Sequence, residues 1–284
     1  MHHLKIFIEL TRLNKPIGFL LLFWPCSWGL TLAYIDDQNF NVFLYYMLLF
    51  FLGSVLMRSA GCIFNDIVDK DLDKKVYRTK SRPISSGKIS VKQSLVYVIL
   101  LCLISFFILI QFNFKTIYLG LGSMLLAFSY PFMKRITYWP QLFLGLTFNW
   151  GMIMAYAAIL DLISIQIILL YISAIFWTLG YDTIYGLQDI ADDEIIGIKS
   201  TAIKFKKNIK IFVGICYLVT FLIILYVFKN NLGINLSTIL IMMFLFSLVY
   251  QLKIFSEKNH ANCLKAFKIN NFSGALIFLS IFFI

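Results

Sequence analysis

Apolar stretches close to the length of a bilayer span recur along almost the whole chain, at roughly 17–35, 42–64, 93–112, 116–132, 140–160, 162–181, 209–228, 235–252 and 266–284. About 20 apolar residues wound as an α-helix cross the hydrocarbon core of a membrane. In that solvent every backbone N–H and C=O needs a partner within the chain, and a helix supplies them all. These stretches, rich in Phe, Leu, Ile and Tyr, predict an all-α integral membrane protein: a bundle of about nine transmembrane helices. Composition agrees, with 60% hydrophobic and 14% charged residues, far less charge than a soluble domain carries. Residues 1–284 read as a single transmembrane domain.

The basic residues fix an orientation. Numbering the spans in order places every Lys and Arg except Arg58, Lys115 and Lys229 on one side, which receives the N-terminus and the connections after spans two, four, six and eight. Basic loops stay in the cytoplasm, so that side is expected to be cytoplasmic. The net charge of +11 is thereby explained by topology and anionic lipid headgroups, and a nucleic-acid partner is a poor reading of it. The N-terminal residues before Pro16 offer no small-residue cleavage site of a signal peptide. The chain is expected in a bacterial inner membrane, with its first helix uncleaved. The five cysteines form no Cys-x-x-Cys pair and mostly lie in spans, as small apolar packing residues do.

Two connections are long, about 65–92 and 182–208, and both fall on the cytoplasmic side. Each starts acidic and turns basic: Asn65-Asp66-Ile67-Val68-Asp69-Lys70-Asp71-Leu72-Asp73 precedes Lys74, Lys75, Arg78, Lys80 and Arg82, while Asp182, Asp189, Asp192, Asp193 and Glu194 precede Lys199, Lys204, Lys206 and Lys207. Nine of the 14 acidic residues lie in these two clusters. The repetition, four spans apart, divides the chain into two pseudo-repeated parts, about 10–135 and 136–284, each presenting one Asp-rich loop to the same water. Asn65, Asp69 and Asp73 stand at i, i+4 and i+8, so they share a face if span two continues past the membrane. Asp182, Asp189 and Asp193 stand at i, i+7 and i+11. Asp66, Asp71 and Asp192 are expected to point elsewhere. Carboxylates packed this densely repel one another unless a cation sits among them. Magnesium, which takes one or two carboxylates plus substrate phosphates, is the cofactor expected: Asn65, Asp69 and Asp73 for one ion, Asp189 and Asp193 for a second, with Asp66 and Asp182 as alternate or outlying ligands.

These acidic rows carry a resemblance. Asn65-Asp66-x-x-Asp69-x-x-x-Asp73 and Asp189-x-x-x-Asp193 resemble the two signatures of the UbiA superfamily of intramembrane prenyltransferases. Leu10-Thr11-Arg12-Leu13-Asn14-Lys15-Pro16-Ile17-Gly18 with Trp24-Pro25 is similar to the opening of its 4-hydroxybenzoate polyprenyltransferase branch. So, in order, are Met57 to Cys62, Arg78 to Pro83, Tyr130 to Arg135 and Gly197 to Thr201; the last third matches only loosely, near Asn270-Asn271. The resemblance implies Mg²⁺-dependent transfer of a polyprenyl group from its diphosphate to the ring carbon ortho to the hydroxyl of 4-hydroxybenzoate, in ubiquinone biosynthesis. No protein partner is implied.

On that reading Asp69, Asp73, Asp189, Asp193, Arg78 and Arg82 carry catalysis. Arg78, Arg82, Lys134, Arg135 and Lys199 supply cations for diphosphate oxygens, Arg in a bidentate fork and Lys as a point charge. Tyr130, Tyr181 and Tyr185 are candidates to face an allylic cation through their rings. Arg58 lies seven residues before Asn65, about 10 Å deeper by helix rise; a guanidinium there asks for a partner or for a path to the interface. Arg58 or Arg12 is the expected holder of an acceptor carboxylate. Other readings stay open: a related transferase acting on a naphthoate, protohaem or a chlorophyllide, a divalent-cation transporter, or a lipid-binding protein without chemistry. Transport predicts acidic residues near the bilayer midplane, whereas these lie at span ends.

Overall fold

The computed structural model describes residues 2–256 and 259–284. Its helices are α1 (His2–Thr11), α2 (Ile17–Asp37), α3 (Phe40–Val68), α4 (Lys70–Asp73), α5 (Val91–Leu109), α6 (Phe114–Ile136), α7 (Pro140–Leu160), α8 (Ile165–Gly186), α9 (Ile190–Ile196), α10 (Thr201–Lys204), α11 (Ile209–Val227), α12 (Leu236–Ile254) and α13 (His260–Phe282). Their starts follow local chemistry. The side chains of Asn39, Ser90, Asn113, Ser164, Asn235 and Asn259 each accept a hydrogen bond from a backbone N–H of the first turn, which satisfies donors that the helix itself leaves open.

Eight helices among the described residues are long and apolar enough to cross a membrane: α2, α3, α5, α6, α7, α8, α11 with the turn preceding it, and α12. The ninth expected span falls in α13. That helix is 23 residues long, but Lys265, Lys268, Asn270 and Asn271 make its first half too polar for the same test. Its second half is packed inside the bundle, with Leu276, Ile277 and Ile281 buried. Polar groups of α13 are used rather than hydrated. Asn270 accepts from Trp177 Nε1 at 2.7 Å and exchanges hydrogen bonds with Gln251, which in turn accepts from the Tyr217 hydroxyl at 2.6 Å. Such a closed network lets α8, α11, α12 and α13 meet without leaving a polar group unpaired.

The main core joins α2, α7, α8, α11, α12 and α13 around Trp28, Trp177, Tyr181 and Phe244. A smaller cluster seats α1 on α3 and α5 through Ile6, Leu10, Ile63 and Leu101. The tightest crossing is α2 on α7, where a Cβ at Gly29 would overlap the backbone carbonyl of Met152. Backbone cannot yield as a side-chain tip does, and overpacking of this kind costs about 1–3 kcal/mol. Gly29→Ala is expected to lower the thermal stability of the purified protein, while Gly214→Ala, whose Cβ would meet only Leu252 Cδ1 at 4.0 Å, leaves it unchanged or higher. Melting curves in detergent compare the two.

α3, α5 and α6 enclose the other side of the bundle less tightly, and between this wall and α2, α7 and α8 lies a cavity of about 1200 Å³. Along α3 its lining runs from Leu49 to Asp69, about 30 Å by helix rise, which is the thickness of a hydrocarbon core.

Candidate functional site

One end of the cavity is polar. α3 stops at Val68, yet the next turn keeps the helical register: Asp69 N–H donates to the Asn65 carbonyl at 2.9 Å, and Asp73 N–H to the Asp69 carbonyl at 2.8 Å. The expected common face of Asn65, Asp69 and Asp73 therefore persists through α4, and all three line the cavity. From the other half, α8 ends at Gly186 and the chain bends before α9, so Asp182, Asp189 and Asp193 do not share one continuous helix. They nevertheless line the same cavity. The two acidic rows thus meet on one site.

Bases sit among them. Arg78, from the connection after α4, forks onto Asp189, its Nε 2.7 Å from Oδ1, and so ties the two halves together; its guanidinium also lies over the Tyr185 ring at 5.6 Å. Arg82 Nη1 donates to Asp73 at 2.7 Å and to Asp66 at 3.0 Å. Lys134, at the end of α6, is ion-paired with Asp69. Arg135 caps the Val68 carbonyl at 2.7 Å and reaches Asp69 at 3.5 Å. Burial raises the Asp69 carboxyl above its ordinary range, against the pull of Lys134. Asp193, with no ion pair of its own, is pushed up to about 7 by burial and by the neighbouring Asp189.

Several expected placements change. Asp66 does not point away: it is 1% exposed, lines the cavity and holds both Arg12, at 2.6 Å, and Arg82. The reason is α1, which folds back along α3 and delivers Arg12, in a left-handed conformation with φ 56°, to the next face of the helix. Arg12 is thereby committed to Asp66. Asp71 and Asp192 do stay off the cavity wall; Asp71 pairs with Lys74 and Asp192 accepts from the Tyr77 N–H at 3.1 Å. Lys199 and Arg135 do not line the cavity. The Lys199 backbone N–H donates to the Lys134 carbonyl and its Nζ to the Ile136 carbonyl, where the open carbonyls of a helix C-terminus attract a cation. Lys199 braces the end of α6.

Arg58 keeps to the cavity wall. Its Nε is buried without a hydrogen-bond partner, its guanidinium lies over the Phe148 ring at 5.4 Å, and it fills the space where a Cβ at Gly18 would stand, 2.9 Å from Nε. Phe148 gave no signal in the sequence, being one aromatic among many in a span. The far part of the cavity is apolar, with Leu22, Cys26, Phe50, Phe112 and Met154 in its wall. Polar or charged oxygens at one end and an apolar chamber behind them suit an amphiphile with an anionic head.

The donor set suits a hard cation: Asn65, Asp69 and Asp73 on one wall and Asp189 and Asp193 on the other offer oxygen only. No group of three or more His, Cys, Asp or Glu among the described residues converges as a ready-made metal cage, which fits an ion that shares its coordination with substrate oxygens and water.

The chain is similar to known proteins over nearly its full length. The 4-hydroxybenzoate octaprenyltransferase of Serratia proteamaculans is 40% identical over 98% of this chain and 94% of its own, and that of Aliivibrio fischeri is 42% identical over 99% and 96%. Among solved structures, the apo UbiA homologue from Aeropyrum pernix superposes with a TM-score of 0.77 at 22% identity, covering 93% of this chain and 97% of its own. The Archaeoglobus fulgidus homologue bound to GPP and Mg²⁺ gives 0.71 at 19%, over 97% and 99%. At these identities the solved structures speak for the fold alone. The family model for the UbiA prenyltransferase family matches residues 22–275, and with relatives this similar over nearly its full length the chain belongs to that family.

Proposed function

We propose that the chain transfers a polyprenyl group from polyprenyl diphosphate to the ring carbon ortho to the hydroxyl of 4-hydroxybenzoate, as the names of its relatives describe and as a step of ubiquinone biosynthesis. The observation that carries this reading is the meeting of two acidic rows, interleaved with bases, at one end of a cavity whose whole depth matches a membrane and whose far part is apolar.

Magnesium is the expected cofactor, held by Asn65, Asp69 and Asp73 on one side and Asp189 and Asp193 on the other. When bound, it would supply positive charge against the diphosphate leaving group. The ion pairs of the unliganded site define what the side chains then do. Asp69, Asp73 and Asp189 are paired with Lys134, Arg82 and Arg78; were these carboxylates to hold the metal, the three cations would be free for phosphate oxygens. The apolar chamber takes the tail. Arg58, a wall cation whose Nε is buried without a partner, takes the acceptor's carboxylate, and Tyr130, also on the wall, lines the reacting centre. Departure of diphosphate leaves an allylic, cation-like carbon that the electron-rich ring attacks.

The basic loops favour a cytoplasmic active site in a bacterial inner membrane, in one domain built of two pseudo-repeated parts. Membranes carrying the protein, incubated with labelled prenyl diphosphate and a panel of aromatic acids, test the whole reading. Prenylated 4-hydroxybenzoate is expected, only with Mg²⁺ present. Product from a naphthoate instead would move the acceptor within the family, and ion flux without product would replace the enzyme by a transporter.

A further inference from the structure

Below the acidic rows the two halves present one more matched pair. Arg58 stands seven residues before Asn65 on α3, and Asp182 seven residues before Asp189 on α8. Both line the cavity within membrane-spanning helices. Among the described residues neither has a hydrogen bond or an ion pair: Arg58 Nε is buried and unpartnered, and Asp182 feels the charge of Arg58 without forming a salt bridge with it. The other carboxylates of the site differ. Asp66, Asp69, Asp73 and Asp189 are ion-paired, and Asp193 lies beyond the span on α9.

An unpaired carboxylate and an unpaired guanidinium facing each other inside a membrane are both costly. They are complementary to a molecule with an anionic group at one end and a proton donor at the other. A 4-hydroxy aromatic acid is such a molecule. With its carboxylate on Arg58, its hydroxyl and the ring carbon beside it turn towards Asp182.

Resting on the function proposed above, we propose that Asp182 is the catalytic base of the transfer. The carbon–oxygen bond of the prenyl diphosphate breaks, with the electron pair leaving on diphosphate. The ring carbon ortho to the hydroxyl forms the new carbon–carbon bond and becomes tetrahedral, leaving the positive charge on the rest of the ring and the hydroxyl oxygen. Its hydrogen then passes as a proton to the Asp182 carboxylate, the electrons of the carbon–hydrogen bond restore the aromatic ring, and the Asp182 carboxylic acid returns the proton to water. Atoms and charge balance without any further reactant.

The test uses the full-length protein in membranes with Mg²⁺, a prenyl diphosphate, and 4-hydroxybenzoate carrying hydrogen or deuterium at the two carbons flanking the hydroxyl. In the wild-type protein proton loss follows a slower step, and kcat is expected to be insensitive to deuterium. Asp182→Asn is expected to lower kcat by about 10²–10⁴-fold, the worth of a positioned base, to bring out a primary deuterium isotope effect, and to leave filter-measured binding of the labelled donor unchanged. Asp182→Glu is expected to restore part of the rate. An Asn variant with wild-type kcat, or one slowed without an isotope effect or with donor binding lost, overturns the assignment. If Asp182→Asn does not accumulate in the membrane, the Glu variant decides: a lowered kcat with an isotope effect supports the base, and an unchanged kcat overturns it. Wild-type protein that prenylates no aromatic acid refutes instead the function on which the proposal rests, and it does so before any variant is made.

Discussion

Asp69→Asn and Asp189→Asn are each expected to reduce turnover on the order of a thousandfold while the protein stays folded. The two residues belong to different halves of the chain and line the same cavity, so a loss in both is what a metal site shared by the two rows implies. Each substitution preserves size and removes one negative charge from the ligands of a divalent ion. A metal that neutralises a developing anion contributes several kcal/mol to the transition state, and about 4 kcal/mol corresponds to a thousandfold in rate.

Stability is expected to change little, for a reason specific to these sites. The partner left behind by Asp69→Asn is Lys134, with 23% of its side chain exposed, and the one left by Asp189→Asn is Arg78, with 39% exposed. Both reach water, so neither charge is stranded in a dry interior. Turnover measured beside a thermal melt separates the two effects. Because both rows act on one diphosphate, the double variant is expected to be scarcely slower than either single one. Near-wild-type rates in both single variants would remove magnesium from these carboxylates.

Much of this architecture was legible because membrane spans carry their signal in composition. The helix limits of α2, α7 and α11 fall within about two residues of the apolar stretches from which they were expected. The common face of Asn65, Asp69 and Asp73 was legible from spacing alone, since i→i+4 hydrogen bonding continues across the end of α3. What was illegible depends on chain reversal. Asp66 faces inward because Arg12 arrives from α1, and periodicity on α3 carries no information about where α1 lies. Lys199 was indistinguishable from Arg78 by sequence, both being bases after an acidic cluster, and only the fold sends one to Asp189 and the other to the end of α6. The ninth expected span is the least apolar for a related reason: α13 accommodates Asn270 inside the protein, where Trp177 and Gln251 meet it. The apolar part of the cavity left no trace, since residues that face a lipid-like tail and residues that face lipid obey the same rule.

Arg58→Leu is expected to raise the KM for 4-hydroxybenzoate by about tenfold to a hundredfold, as the loss of a charged hydrogen bond worth about 1.5–3 kcal/mol implies, with the KM for the prenyl diphosphate unchanged. The other buried or half-buried cations of the cavity wall are committed to carboxylates. Arg12 is paired with Asp66, Arg78 with Asp189, Arg82 with Asp73 and Asp66, and Lys134 with Asp69. Of the wall cations left without a carboxylate, Lys15 and Lys268 are exposed, whereas Arg58 is held inside, over Phe148 beside Gly18. Its position, about 10 Å below Asn65, lies beyond the phosphates and before the apolar chamber, where an acceptor ring must sit to meet the first carbon of the tail. Arg58→Lys keeps the charge but loses the planar fork, so an intermediate KM is expected. The neutral amide of the same acid offers no anion to bind, and its KM is expected to differ little between the wild type and Arg58→Leu. Steady-state kinetics on the two acceptors decide the matter: equal KM for the acid in wild type, Lys and Leu variants would take Arg58 out of the acceptor site and leave its buried guanidinium as a wall of the tail chamber.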